Sequence, residues 1–343
     1  MKLVIVGGCG SSGTTLLVHL LSRHRALASG PEMNFFNHKE VLSLEDLATH
    51  QSALFQRRRL SNGYKDEYRF LKSEKASLID PELFYRWINN SNTLRELYGT
   101  FAEHMCKPHR AEVFVEKTPS NVYNFAALSK LFPNLPLIHQ IRDGRDVVAS
   151  LIGRGKTLFE AGSRWLYDTI AGLSAREAPS YLETRYEQLV KDPAGTLNII
   201  FRHLNLSTEP DILRGPPDSS TGIYVEQWRE MASGRSWQQT PNEPISTKSV
   251  GRYRQELTPD QLSTLYRIQL TKRAAERLNS PVRSFRQLLD FLEYKDFEME
   301  SWTLKRPLRI TEWAYEMRDY HRRARRSWHH MRRLPPRLTT IVR

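Results

Sequence analysis

The chain has 343 residues, enough for one large α/β domain or two small ones. Its 39% hydrophobic and 26% charged content is ordinary for a soluble globular protein. Two cysteines, Cys9 and Cys106, cannot build a disulfide framework, and no run approaches the roughly 18 apolar residues that a membrane span needs. The net charge of +13 is a tail property: residues 305–343 contribute +9 and the other 304 residues only +4, so the body is not marked as a nucleic-acid binder. The few residues before the first glycines are too short for a secretory h-region, and a cytoplasmic, reducing location is expected.

Along the chain, KLVIV (2–6) is an apolar run ended by glycines, the pattern of a buried parallel strand. Helical spacing follows over 14–24, closed by a basic last turn. ALASGPEMNFF (26–36) reads as a short strand and loop, broken by Gly30 and Pro31. Residues 40–110 are polar and poor in β-branched residues, which suggests an inserted helical section. EVFVEKTP (112–119) is a strand stopped by Pro119, and LIHQI (137–141) a further strand, leading through Asp143-Gly144 into a helix from about Arg145. SYLETRYEQLVKDP (180–193) gives a strand and a short helix, and 194–206 an amphipathic helix. Residues 207–248 are rich in Pro, Gly, Ser and Thr, so a ligand-covering lid is expected over about 207–255. One helix is expected over 256–279. The alternation predicts an α/β fold, a three-layer P-loop-type parallel sheet flanked by helices, with its ligands at the carboxyl ends of the strands. The expected domain is 1–300, followed by a basic, aromatic helical extension over 301–343.

Gly8-Cys9-Gly10-Ser11-Ser12-Gly13-Thr14-Thr15 fits G-x-x-x-x-G-x-T. Glycines let backbone N–H groups converge on an anion, the following helix adds its dipole, and Thr14 and Thr15 offer hydroxyl donors. The nucleoside-triphosphatase version of this loop requires Lys where Thr14 stands, which argues against ATP hydrolysis. A glycine-rich structural turn is the plainer alternative.

SGTT (12–15) after an opening strand, followed by Arg142-Asp143-Gly144-Arg145 with Ser150 eight residues after Arg142, resembles the sulfotransferases that use 3′-phosphoadenylyl sulfate (PAPS). That resemblance implies that the first loop, Gly10 to Thr15, holds the 5′-phosphosulfate and that Arg142 and Ser150 hold the 3′-phosphate. An arginine can meet a phosphate bidentately; a sheet-edge arginine and a solvent-facing serine are the ordinary alternatives. Within the superfamily the motifs are most similar to those of protein-tyrosine sulfotransferases, with Tyr186-Glu187-Gln188-Leu189-Val190 and Lys248-Ser249-Val250-Gly251 as further shared segments. By that similarity Arg154, Tyr186, Lys248, Gly251 and Arg252 join the donor contacts, and Ser233 is a weakly anchored match.

The resemblance places the general base at Glu32, seventeen residues after Thr15, and a charge-stabilising lysine at Lys117. Sulfuryl transfer needs such a base, such cations and in-line positioning. A solvated loop carboxylate and a surface lysine paired with Glu116 are the alternatives. The family has Lys or Arg before SGTT, whereas this chain has Ser11; Lys117 with backbone amides, Arg252 or Arg254 could supply the charge, or activity is altered.

Eleven histidines without H-E-x-x-H spacing predict no metal. The resemblance implies PAPS as co-substrate and an acceptor hydroxyl on a carbohydrate, tyrosyl peptide, lipid or small molecule. The tail WAYEMRDYHRRARRSWHHMRR (313–333) suits an anionic membrane surface, an acidic acceptor or packing on the domain. Oligomeric state stays open, a homodimer included. Rival readings are a P-loop kinase, which Mg²⁺-dependent ATP turnover would favour, and a non-catalytic nucleotide-binding module.

Overall fold

Backbone amides in the middle of a protein must find partners, and five short extended segments solve this by pairing with one another. A computed structural model describes residues 2–30, 32, 80–208, 213, 245–294 and 308–310. In it β1 (Leu3–Gly7), β2 (Leu27–Ser29), β3 (Val113–Lys117), β4 (Leu137–Ile141) and β5 (Tyr181–Arg185) form one sheet in the order β2-β3-β1-β4-β5. Every pairing is parallel. β1 and β4 are buried along their whole length; β1 therefore reads as an unbroken apolar run, while β4 also buries the polar His139 and Gln140.

Side-chain alternation sorts the strands onto two covered faces. Leu3, Ile5, Phe114 and Leu137 join Phe84, Phe101 and Phe125 from the helices Pro81–Asn90, Leu94–Cys106 and Phe125–Leu131. Val4, Val6, Val115 and Ile138 face the other way, against the helices Thr14–Leu21 and Pro193–His203. A further core gathers Trp165 and Ile170 of the helix Leu158–Leu173 with Val147 and Val148 of the helix Gly144–Ile152. The three-layer α/β architecture expected from the sequence is therefore present. Helix starts follow their caps: Asp143 accepts from the Arg145 N–H, Thr157 forms a capping box with Glu160, and Asp192 accepts from the Gly195 N–H ahead of Pro193.

The span 256–279 departs from the single helix expected there. A helix over Pro259–Tyr266 ends at Arg267, Ile268–Leu270 form β6, and Thr271, accepting from the Ala274 N–H, opens a new helix over Lys272–Arg277. Ile268 and Leu270 are both fully buried, and β6 pairs in parallel with β7, Leu308–Ile310. Burial of alternate residues plus a strand partner overrides the helical spacing. The described end of the helical insertion, 80–110, is helical as expected; residues 40–79 of that insertion, and 301–307 and 311–343 of the tail, lie outside the described residues.

Gly144 opens its helix directly under Trp165, where an added Cβ would lie 2.5 Å from the indole ring. Gly144→Ala is expected to cost about 1–3 kcal/mol of stability through overpacking, read as a lower urea midpoint. Gly153→Ala, whose nearest neighbours stand 3.7 Å away, should leave the midpoint within error.

Candidate active site

Strand register gathers the chemistry-bearing residues at one edge. Val6 of β1 lies opposite Lys117 of β3, Gly7 opposite His139 of β4, and Ile141 opposite Arg185 of β5. The segments that leave these strands are the glycine loop, Thr118-Pro119, Arg142 and Tyr186, so all emerge together at the carboxyl ends, where open parallel sheets bind ligands.

The loop itself is held by close approach. Gly8 donates to the Pro119 carbonyl at 3.0 Å, and Ser12 donates to the Cys9 carbonyl at 3.0 Å. Gly13 has φ +85°, and a Cβ there would lie 2.4 Å from the Tyr186 ring, so only glycine fits both the left-handed backbone and the aromatic face. Ser11 also has positive φ, 76°, a costly state for a non-glycine residue that a loop retains for a purpose. The helix Thr14–Leu21 receives no side-chain cap at its N-terminus, which leaves its first amides available to an anion.

On one side of the loop stand the two residues expected to carry the chemistry. Lys117 Nζ lies 2.9 Å from Glu32 Oε1 and 3.3 Å from the Thr15 hydroxyl. The lysine side chain is fully buried, whereas that of Glu32 is 39% exposed. The carboxylate is thus part-exposed, while the cation is buried and tied to the loop. Glu116, the next residue on β3, is buried and accepts from the Thr118 hydroxyl at 2.6 Å and from the Asn121 amide.

On the other side lies Arg142, itself buried. It donates to the Ser11 carbonyl at 3.1 Å and to the Ser249 carbonyl, and its guanidinium stacks 4.3 Å from the Tyr186 ring centroid. Asp146, one turn on, stands 3.8 Å from Arg142 and accepts from the Gly251 and Tyr253 N–H groups at 2.8 and 3.0 Å. Burial pushes its carboxyl above the ordinary range. Ser150 is buried on the same helix. Arg154 follows that helix, and its pKa is lowered by burial and by the charges of Arg142, Arg164 and Arg252. Three guanidiniums thus add positive charge around Arg154, which favours an anion there. Arg252 also pairs with Glu256 at 2.8 Å. Lys248 is exposed beside Ser249, on the turn Thr247–Ser249.

The structure therefore brings together Glu32, Lys117 and Thr15, and separately Ser11, Gly13, Arg142, Tyr186 and Gly251, with Arg154 and Arg252 at the rim. Ser233 and the lid residues 209–212 and 214–244 lie outside the described residues. Two further groups were not singled out in the sequence. Asp146 ties the 251–253 segment to the arginine, and Arg164 stands against Gly10. Their only sequence signal is i,i+4 spacing, Arg142 to Asp146 and Arg164 to Asp168, which any solvated helix also shows.

The model of the sulfotransferase family matches residues 4–210, more than half of the chain. The chain belongs to the sulfotransferase family. Among curated proteins it is similar to protein-tyrosine sulfotransferase 1 of Danio rerio, 25% identical over 224 residues that cover 62% of this chain and 56% of that protein. Protein-tyrosine sulfotransferase 2 of Gallus gallus is 24% identical over 224 residues, covering 62% of this chain and 53% of that protein. The chain thus spans about half the length of these sulfotransferases. Among solved structures, the sulfotransferase domain from the Synechococcus PCC 7002 olefin synthase is 18% identical, with a TM-score of 0.48, over 82% of this chain and 94% of that one. Among the described residues no helix of this family member is long and apolar enough to cross a membrane.

Burial pushes the Glu116 carboxyl from 4.5 up to about 7. Between those values the folded state keeps a proton that the unfolded chain has released, so stability should fall as pH rises from about 4.5 through about 7. Glu116→Gln removes that titration, and denaturant midpoints measured across this range should fall less steeply than in the wild type.

Proposed function

We propose that the chain transfers the sulfuryl group of PAPS to an acceptor hydroxyl. The observation that carries this reading is the contact of one buried lysine with both a loop hydroxyl, Thr15, and a part-exposed carboxylate, Glu32. A nucleotide-binding loop alone needs no carboxylate beside it; a group transfer to a hydroxyl needs a base there.

The binding residues fit a bis-phosphorylated nucleotide. Ser11 Oγ and Arg142 Nε are buried without hydrogen-bond partners among the described residues, and buried donors of this kind call for an acceptor. The loop from Gly10 to Thr15, with the uncapped helix behind it, would hold the 5′-phosphosulfate. Arg142 and Ser150 would hold the 3′-phosphate, with Arg154 and Arg252 adding charge, and Tyr186, Lys248 and Gly251 would line the nucleotide.

In the transfer, the bond from sulfur to the bridging phosphate oxygen breaks as a bond from sulfur to the acceptor oxygen forms. The acceptor's proton goes to Glu32. The electron pair of the broken bond stays on the departing phosphate, where Lys117 offsets its charge. The product nucleotide is adenosine 3′,5′-bisphosphate. The acceptor is a hydroxyl compound, among carbohydrates, tyrosyl peptides, lipids and small alcohols. Membrane or acidic-acceptor contacts through the tail and a cytoplasmic location belong to this reading, as does chemistry without a metal.

Calorimetry should show adenosine 3′,5′-bisphosphate binding at least tenfold more tightly than AMP, since a paired phosphate contributes a charge-assisted contact of about 1.5–3 kcal/mol. Equal affinities would sink the 3′-phosphate assignment. Glu32→Gln should keep nucleotide affinity and lose about 10²–10⁴ in turnover, assayed as release of the bisphosphate from PAPS over a panel of acceptors. Turnover equal to that of the wild type would remove Glu32 from the base role.

A further inference from the structure

Between Gly8 and Thr15 the loop carries no basic side chain, yet a guanidinium stands against it. A Cβ added to Gly10 would lie 3.2 Å from Arg164 Nη2, 3.4 Å from its Cζ and 3.8 Å from its Nη1. The three atoms nearest to that position all belong to one arginine, so a side chain at residue 10 would press on the Arg164 guanidinium and shift it by a few tenths of an ångström. The next residue, Ser11, is also small, is left-handed, and has a buried hydroxyl without a partner among the described residues.

Arg164 is oriented. Its Nε donates to Asp168 Oδ2 at 3.2 Å, and the Asp168 side chain is 3% exposed against 37% for the arginine. The other carboxylate oxygen accepts from the Tyr123 hydroxyl, and burial together with the same aspartate pushes the buried Cys9 thiol of the loop up. An i,i+4 pair between two solvated side chains is loosely held and contributes little. Here the acid is buried, is held by the Tyr123 hydroxyl as well, and turns the Nε edge of the guanidinium inward, while the Nη atoms stand against Gly10. Arg164 also contributes to the repulsive field felt by Arg154, so its charge belongs to the same anion-binding region as Arg142.

We propose that Arg164 is a binding cation of the site, meeting the 5′-phosphosulfate of the donor over Gly10 and Ser11, and that Asp168 is its positioning residue. The role rests on the sulfotransferase reading above. It supplies from the helix Leu158–Leu173 the positive charge that the loop's own residues lack, and it gives Gly10 a reason to have no side chain.

The test is calorimetry on the full chain with three ligands: PAPS, adenosine 3′,5′-bisphosphate and adenosine 3′-monophosphate, the last lacking any 5′ group. Arg164→Gln is expected to weaken the first two by roughly ten- to a hundredfold, the loss of one charge-assisted contact, and to leave the third unchanged. Arg164→Lys should recover part of that loss and Asp168→Asn should reproduce its selectivity, an effect confined to 5′-charged ligands that a merely structural role would not give. Gly10→Ala should weaken the same two ligands in the wild-type background and add nothing in Arg164→Gln, because both changes act on one guanidinium. Unchanged affinity in Arg164→Gln, or an equal loss for all three ligands, overturns the role of Arg164 while leaving the sulfotransferase reading in place. A wild type that binds none of the three overturns that reading and this role with it.

Discussion

Taking a guanidinium out of water is expensive unless partners hold it, and the burial of Arg142, partnered at its two terminal nitrogens and over its face, organises the site. Its partners come from four places: the Ser11 carbonyl of the first loop, the Ser249 carbonyl of a distant turn, the carboxylate of Asp146 on its own helix and the ring of Tyr186 after β5. One buried charge therefore ties together the glycine loop, the turn Thr247–Ser249, the helix Gly144–Ile152 and Tyr186. Tyr186 serves twice, since the same ring that stacks on Arg142 also lies where any side chain at residue 13 would project. Asp146 extends the arrangement by holding the Gly251 and Tyr253 amides. Residues 251–253 thus take their place from a carboxylate on the helix Gly144–Ile152.

The opposite flank has a simpler origin. β2, β3 and β1 lie side by side with Ser29 opposite Val115 and Val6 opposite Lys117. Glu32, three residues beyond β2, and Lys117, the last of β3, then meet beside the first helix. Parallel register sets Lys117 beside the end of β1, and a carboxylate that follows β2 and a hydroxyl of the first helix meet it there. The loop runs between this trio and the Arg142 cluster, as a donor with a transferable group at one end and a recognition phosphate at the other would require.

Much of this was legible in the sequence because it depends on patterns that survive in one dimension. β1 is an unbroken apolar run since both its faces are covered, the apolar Leu137, Ile138 and Ile141 mark β4 around two buried polar residues, and the glycine loop and Arg142 follow directly from these strands. Glu32 and Lys117 carried no signal in composition or periodicity; resemblance alone pointed to them, and the register explains why they meet. The strand Ile268–Leu270 was hidden because its partner is some forty residues away, in Leu308–Ile310, and helical spacing around it was locally satisfactory. Asp146 and Arg164 were hidden for a different reason: an acid and a base four residues apart describe a solvated helix as well as a buried site, and only tertiary packing separates the two.

That packing also links the two flanks. Trp165, the neighbour of Arg164, is fully buried and donates from its indole N–H to the Arg142 carbonyl at 3.1 Å, while its ring lies against Gly144. Consecutive residues on the helix Leu158–Leu173 thus brace the Arg142 motif from behind and reach the glycine loop in front. A cation carried by the loop would move with the loop's own backbone, which already holds a strained serine and a left-handed glycine. One carried on this helix is set by a buried tryptophan beside it and by the Asp168 carboxylate one turn further on, both rigid supports. In the proposed reaction charge must be met at fixed points without reorganisation at the moment of transfer, and an arginine anchored outside the loop satisfies that demand while leaving the loop small enough to wrap the donor.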